Sequence, residues 1–324
     1  MLIIRTPYRV SLFGGGTDYP DWYLSNNGSV ISFAINRYSY ITCRYLPQFF
    51  EYKYRIRYFI REEVNTLDEI KHPSIREAIK LAKIKTGLDI VHYGDLPAMS
   101  GLGTSSSFTV GMVHALDSLK GKTVTKQNLA RKAIKIEQEM NKENVGSQDQ
   151  VAAAYGGFNR INFAKNGEIS VTKIIISEYK RKKLLNSICI FFTGFSREAS
   201  QVAKSQIENI KAGLDLSQTM ALVDEFEDLI LNSKNFVEEL GILLEKQWLI
   251  KKGYSLKVSN NSIDTIYERA KFHGAIGGKL LGAGSGGFIL FVTKDKVKLI
   301  KGLSEILYVP IEMDYEGSKL IYHG

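Results

Sequence analysis

A strand-like run, Leu88-Asp-Ile-Val-His-Tyr93, leads into Pro97-Ala-Met-Ser-Gly-Leu-Gly-Thr-Ser-Ser-Ser-Phe108. A helix-period run follows, in which Phe108, Met112, Ala115 and Leu119 share one face. The pattern demands a strand, a tight glycine turn and a helix in close succession. Gly101 and Gly103 allow a turn where a Cβ would clash. Leu102 lies between them, and Thr104, Ser105, Ser106 and Ser107 fall on the first helical turn. The first N–H groups of a helix lack partners and its dipole is positive there. Such an end cradles an anion, with hydroxyls at hand for phosphate oxygens or a metal. The same residues also suit a plain N-capped helix after a glycine turn. Local sequence leaves both readings open.

Composition narrows the class. A chain of 324 residues makes two domains or one large one. At 44% hydrophobic and 24% charged it has the balance of a globular protein with an ample core. No apolar run reaches the length of a membrane span, and Arg5 interrupts Met1-Leu-Ile-Ile, so neither membrane insertion nor a signal peptide is expected. Cys43 and Cys189 are the only cysteines, which gives no disulfide framework and points to a reducing cytoplasm. The five histidines are scattered, against a protein-built zinc site. The net charge of +9 admits nucleic acid or a phosphorylated small molecule as partner. One basic run, Lys180-Arg-Lys-Lys183, reads as a solvated linker. The other, Glu51 to Arg61, alternates tyrosine and isoleucine with lysine and arginine. That is the pattern of a half-buried strand rather than of a nucleic-acid platform, because the aromatics sit opposite the charges.

Strands are expected at Met1–Arg5, Val30–Ile35, Tyr40–Leu46 and Tyr52–Arg61, and helices at Pro73–Lys85 and Thr125–Met140. Ser147-Gln-Asp-Gln150 reads as a capping box opening a short helix to Tyr155. Phe158–Phe163 and Ile169–Ile176 form a hairpin across Asn166-Gly167. A boundary near 180 divides the chain into domains 1–180 and 181–324. The second starts with the strand Ser187–Thr193, is helical from about Ser196 to Phe272, and ends with a glycine loop, the strand Phe288–Thr293, a helix and the strand Glu305–Ile311. The fold class is α+β in two domains. Gly278-Lys279 is no phosphate-binding P-loop, since Leu280 follows and His273 stands where the first glycine belongs. Gly282-x-Gly284-x-x-Gly287 precedes a strand, not a helix, which argues against a dinucleotide site. No serine sits in a hydrolase elbow.

Three carboxylates stand in unusual company. Glu137 leans toward the apolar stripe of Ala130, Ala133 and Ile134, whereas Glu139 shares a face with Lys132 and Lys135. A half-buried carboxylate needs a partner, either a cationic side chain or Mg²⁺. Asp149 lies in the first turn of its helix with Ala152, Ala153 and Gly156 beside it, as a dipole partner or as a base in a small-residue pocket. Asp18 ends the turn Phe13-Gly-Gly-Gly-Thr-Asp18, with Arg9 shortly upstream. It caps a helix, or it meets a ligand that approaches the glycines closely.

Together these segments resemble the GHMP kinases, the superfamily of galactokinase, homoserine kinase, mevalonate kinase and phosphomevalonate kinase. Pro7-Tyr-Arg-Val-Ser-Leu-Phe-Gly-Gly-Gly-Thr-Asp-Tyr19 is similar to the N-terminal substrate motif, Pro97 to Ser107 to the phosphate loop, and Lys279-Leu-Leu-Gly-Ala-Gly-Ser-Gly-Gly-Phe288 to the C-terminal glycine motif. Gly146-Ser-Gln-Asp-Gln150 fits the segment that carries the catalytic Asp. The resemblance implies an N-terminal α/β domain with a left-handed crossover, a ferredoxin-like C-terminal domain and a cleft between them. It implies ATP as donor, bound by Gly101, Leu102, Gly103, Thr104, Ser105, Ser106 and Ser107. Ser105 and Glu137 would hold Mg²⁺, Asp149 would be the base and Arg9 the cation beside it. Gly14, Gly15, Gly16, Thr17 and Asp18, with Gly284, Ser285 and Gly286, would line the substrate site. The partners implied are ATP and a small sugar phosphate, not nucleic acid or a membrane, and oligomeric state stays open.

Within the superfamily, galactokinases carry Glu-His before Thr-Asp, where this chain has Gly15 and Gly16. The form Gly-Gly-Gly-Thr-Asp resembles the D-glycero-D-manno-heptose 7-phosphate kinases and the fucokinases. Fucose offers no 6-hydroxyl to a Glu, and a heptose 7-phosphate would be repelled by one. A pair of unit charges about 4 Å apart is worth roughly 4 kcal/mol at an effective dielectric near 20. Fucokinases of this type are often fused to a second enzyme, for which this chain has no room. The expectation is therefore phosphorylation of the anomeric hydroxyl of heptose 7-phosphate, with Arg160 and the strand near Arg55 as candidates for the distal phosphate.

Overall fold

Alternation of buried side chains carries the first strand well past the apolar start at Met1 to Ile4. The computed structural model describes residues 1–194 and 199–324. Strand β1 (Leu2–Phe13) leads through the glycine turn to α1 (Pro20–Asn26) and β2 (Gly28–Tyr45). Next come β3 (Tyr54–Arg57), β4 (Arg61–Val64), α2 (Pro73–Ala82), β5 (Leu88–Gly94), α3 (Thr104–Leu119) and α4 (Lys126–Ile134). A π-helical segment, Lys135–Met140, continues α4, and α5 (Gln148–Tyr155), β6 (Phe158–Phe163), β7 (Ile169–Lys173) and α6 (Glu178–Ser187) follow. The second half holds β8 (Ile188–Phe192), α7 (Ala199–Lys211), α8 (Ser217–Asn232), α9 (Phe236–Lys252), α10 (Asn261–Phe272), β9 (Ala275–Leu280), β10 (Phe288–Thr293), α11 (Lys296–Gly302), β11 (Leu307–Val309) and β12 (Lys319–His323).

Among the described residues there are two sheets. The first runs β12-β1-β2-β5-β3-β4, with β6 on β2 and β7 on β6. The second is antiparallel in the order β11-β8-β10-β9. In chain sequence the second is strand, helices, strand, strand, helix, strand, which is the ferredoxin-like arrangement expected of this half. Helix α3 is buried on nearly every side, packed against β1 and β2 and against α2, α4 and α5. The single apolar face expected of it understates its burial.

Several boundaries differ from expectation for identifiable reasons. The expected strands at Val30 and Tyr40 are one strand, β2, because its pairing with β1 shifts between Pro7 and Tyr8 and lets both halves continue. The expected strand Tyr52–Arg61 breaks after Arg57 into a hairpin closed by Tyr58 N–H on Ile60 O, though Tyr54 and Ile56 are buried as the alternation requires. Lys180 to Lys183 lie inside α6, capped by the Ser177 hydroxyl, and are not a linker. The division at residue 180 thus falls within a helix, and β12 returns to pair with β1 in the first sheet. Ser147 precedes α5 but does not cap it, since its hydroxyl takes the Gln138 amide instead. Of the helical stretch expected from Ser196, that residue lies outside those described, and α7 runs from Ala199.

The two halves meet on apolar surface. Phe226 of α8 packs on Phe13 of β1 at 4.8 Å between ring centroids and on Phe158 of β6 at 6.1 Å. The Phe226 side chain is fully buried. Phe226→Ala should therefore lower stability by about 3–5 kcal/mol, read from urea denaturation. A loss below 1 kcal/mol would show that this contact does not hold the halves together.

Candidate active site

Alternation along β1 sets the site. Tyr8, Val10 and Leu12 enter the apolar core, and Arg9 and Ser11 share the opposite face. Arg9 is 3% exposed, and each of its three guanidinium nitrogens donates a hydrogen bond. Its Nε and Nη2 donate to the two Asp149 oxygens at 2.7 and 2.8 Å, and Nη1 donates to Gly101 O at 2.7 Å. Its backbone N–H donates to Leu102 O at 3.0 Å. One residue thus joins β1, the loop before α3 and the first turn of α5. The Asp149 side chain keeps 25% of its surface exposed. A Cβ placed on Gly103 would lie 3.2 Å from Asp149 Oδ2, so the carboxylate stands directly beside the N-terminus of α3.

The hydroxyls of that first turn divide. Ser107 donates to Pro7 O at 2.7 Å, Thr104 accepts from Met99 N–H, and Ser106 donates to Glu137 Oε2 at 2.8 Å. Ser105 is exposed. Ser106, not Ser105, therefore touches Glu137: helix geometry turns successive residues about 100° apart, and only one of the two can face the π-helical segment. Behind this loop the C-terminal glycine motif packs back to back. Gly101 and Gly282 have φ of +85° and +73°, and a Cβ on either would come within 2.5 Å of the other loop. Phe288 N–H donates to Ser100 O. Gly284 and Ser285 pack on Val258, with Ser285 N–H on its carbonyl, so this part of the motif buttresses the loop from the far side. Gly286 continues that run.

The Gly14–Asp18 turn is locked from within. Thr17 is fully buried, with its hydroxyl 2.8 Å from Gly14 O and 2.9 Å from Ser29 O, and it accepts from Ser29 N–H. It closes the turn rather than facing a ligand. Asp18 accepts from Gly16 N–H and from Gln148 N–H, which fastens the turn to α5 next to Asp149. Burial, and then the nearby Asp149 charge, push the Asp18 carboxyl above its ordinary range against the pull of those amides. Gly15 has room for a Cβ. A Cβ there would meet only Ser11 Oγ at 3.6 Å and Gln148 Nε2 at 3.9 Å, and its backbone is not in the left-handed region.

Two buried lysines escaped the sequence reading. Lys251 of α9 donates to Leu280 O at 3.0 Å and to Gly282 O, and Lys279 of β9 donates to Leu12 O at 2.9 Å. Burial, and then the Arg9 charge, lower the Lys251 ammonium to about 7. Burial, and then the neighbouring Lys251 and Arg9 charges, push the Lys279 ammonium well below its ordinary range. Lys279 opens the glycine motif and could have been singled out there. Lys251 looks like an ordinary dipole partner at a helix end and carries no such signal. The other basic candidates are spent elsewhere: Arg160 binds Asp224 and Glu227, Arg55 and Arg44 share Asp89, and Arg61 pairs with Glu63.

Glu137 is fully buried, while Glu139 is exposed, as the face analysis requires. Its Oε2 accepts from Ser106 and from the Gln150 amide, and its Oε1 has no partner. Burial raises its carboxyl to about 7, with the Glu143 charge adding and the Thr109, Ser106 and Gln150 hydrogen bonds opposing. Among the described residues no cluster of three or more His, Cys, Asp or Glu is placed to hold a metal. A free carboxylate oxygen with hydroxyls close by does suit Mg²⁺, which binds through one or two protein oxygens and takes the rest from phosphates and water.

The chain is similar to known proteins along most of its length. Residues 72–157 match the GHMP kinases N terminal domain, and residues 225–307 the GHMP kinases C terminal domain. A D-glycero-alpha-D-manno-heptose 7-phosphate kinase of Campylobacter jejuni is 30% identical over 92% of both chains. A bifunctional fucokinase/GDP-fucose pyrophosphorylase of Arabidopsis thaliana is 25% identical over 91% of this chain and 30% of its own length. A crystal structure of a D-glycero-D-manno-heptose 1-phosphate kinase from Bacteroides thetaiotaomicron superposes with a TM-score of 0.80 over the whole of both chains, at 23% identity.

The burial of Glu137 has a measurable consequence in metal-free buffer. Folded Glu137 holds its proton to about pH 7, against 4.5 for its ordinary value. The stability this contributes is full below the lower value and is lost as pH rises through the higher one. Between pH 4.5 and 8 the protein should lose up to about 3 kcal/mol relative to Glu137→Gln, measured by urea denaturation. Parallel pH profiles for the two proteins would refute the assignment.

Proposed function

The chain belongs to the GHMP kinases, and on that premise we propose that it transfers the γ-phosphoryl group of ATP to the anomeric hydroxyl of D-glycero-D-manno-heptose 7-phosphate, giving the 1,7-bisphosphate and ADP. The observation that carries the reading is the Arg9 fork on Asp149, set beside the N-terminus of α3. The exposed amides of that turn, with Ser105, cradle the nucleotide phosphates. The acceptor hydroxyl lies against Asp149, which takes its proton as the sugar oxygen bonds to phosphorus and ADP departs. Arg9 fixes the orientation of the carboxylate and places positive charge near the transferring group. Mg²⁺ held through Glu137 and Ser106, whose hydroxyl touches that carboxylate, would offset charge on the phosphates. The remaining work is positioning.

One feature supports an anionic acceptor: no carboxylate stands at Gly15. The heptose 7-phosphate assignment also draws on the Campylobacter relative. A neutral-sugar 1-kinase is the second reading, favoured by the uncharged Ser11 and Gln148 around Gly15.

An ADP-release assay on heptose 7-phosphate, unphosphorylated heptose, fucose and galactose separates them. Heptose 7-phosphate should give the highest kcat/KM. Gly15→Glu should then raise its KM far more than Gly15→Gln does, with about 4 kcal/mol as the upper limit of the difference. The gap should close for a neutral sugar. Equal losses in both variants would deny a charge effect, and a preference for fucose or galactose would overturn the heptose assignment.

A further inference from the structure

Three polar side chains in one corner of the site are buried and have no partner. Ser11 and Ser32 stand directly opposite each other on β1 and β2, and the hydroxyl of each makes no hydrogen bond. Gln148 is 8% exposed, and its Oε1 makes none either. Ser11 Oγ and the Gln148 amide are the two groups that face the space beside Gly15. Each is tied to the reacting centre. Ser11 shares a strand face with Arg9, and Gln148 precedes Asp149 in the first turn of α5.

An unpartnered buried amide or hydroxyl costs stability, and an apolar residue of the same size would not. Polar groups kept unpaired around an open space next to a catalytic carboxylate await a ligand. The chemistry of these groups identifies its class. A carboxamide and a hydroxyl each donate and accept, so they match the vicinal hydroxyls of a sugar carbon chain. A phosphate accepts only and would leave Gln148 Oε1 unsatisfied, so these two groups meet hydroxyls of the acceptor, and its distal phosphate lies past them, beyond Gly15. An adenine would need a flat apolar slot, which Ser11, Ser32 and Gln148 do not make.

We infer that Gln148 and Ser11 are specificity-determining residues that read the neutral hydroxyls of the acceptor sugar in the space Gly15 leaves open. This rests on the sugar-kinase reading. A site built to bond a hydroxyl rejects an analogue that lacks it, because the protein group is then left unpaired.

Gln148→Leu and Ser11→Ala test it, with kinetics on the best acceptor and thermal melting. Gln148→Leu should raise the acceptor KM by about ten- to a hundredfold, and Ser11→Ala by about three- to tenfold. The KM for ATP should stay within twofold in both. Neither variant should melt lower than the unmodified protein, since each removes an unpaired group. A purely structural role would lower the melting temperature instead. A deoxy acceptor lacking the hydroxyl read by Gln148 should be poor for the unmodified enzyme and no worse for Gln148→Leu. Unchanged acceptor KM in both variants, or an equal rise in the KM for ATP, would overturn the inference while leaving the kinase reading standing. Failure of the unmodified enzyme to phosphorylate any sugar would remove the kinase reading, and the inference with it.

Discussion

Arg9 makes four hydrogen bonds to two other parts of the chain, and the geometry of the site follows from that commitment. Its backbone and one guanidinium nitrogen hold the loop before α3, through Leu102 O and Gly101 O. The other two nitrogens hold Asp149 in a bidentate grip. A planar fork of this kind fixes angle as well as distance, and a lysine could not do so. The loop and the carboxylate come from segments far apart in sequence. Their relative position is set because one buried side chain bonds to both. Breaking such a pair from one side would strand a charge in a poorly solvated place, which makes the arrangement stiff.

That fork needs support from behind, and the second domain supplies it. The glycine motif packs on Gly101 so closely that neither loop has room for a Cβ. Lys251 grips the carbonyls of that motif, and Lys279 reaches across to Leu12 at the end of β1. Both lysines are buried, with backbone carbonyls as their direct partners. The cost of burying them shows in their depressed proton affinity. Burial acts on Glu137 in the same way, raising its proton affinity and leaving one oxygen without a partner.

Much of this was readable in the chain because local signals and tertiary contacts agree. The strand, glycine turn and helix around residue 101 follow from φ and periodicity alone. The burial of Glu137 against the exposure of Glu139 followed from which residues share a helix face, even though the segment proved π-helical. Where the sequence misled, distant contacts had overruled local preference. Ser147 has the pattern of a cap, but its hydroxyl accepts from the Gln138 amide. Lys180 to Lys183 look solvated but belong to a capped helix. The last strand pairs with the first, across the whole chain, and nothing local marks it. Lys251 was invisible for the same reason: its meaning lies in the carbonyls it meets. Ser105 and Ser106 show the finer limit, since one residue of rotation decides which hydroxyl reaches Glu137.

The central claim is that Arg9 and Asp149 act as one unit. A double-mutant cycle on the single-turnover rate of phosphoryl transfer, with Arg9→Gln, Asp149→Asn and the pair together, measures it most directly. If the carboxylate works only when held by the fork, each single change should slow transfer by about two to four decades, and the double change should be little worse than the slower single. Losses that multiply, so that the double variant falls by the product of the two, would show that Arg9 and Asp149 contribute independently and would contradict the account.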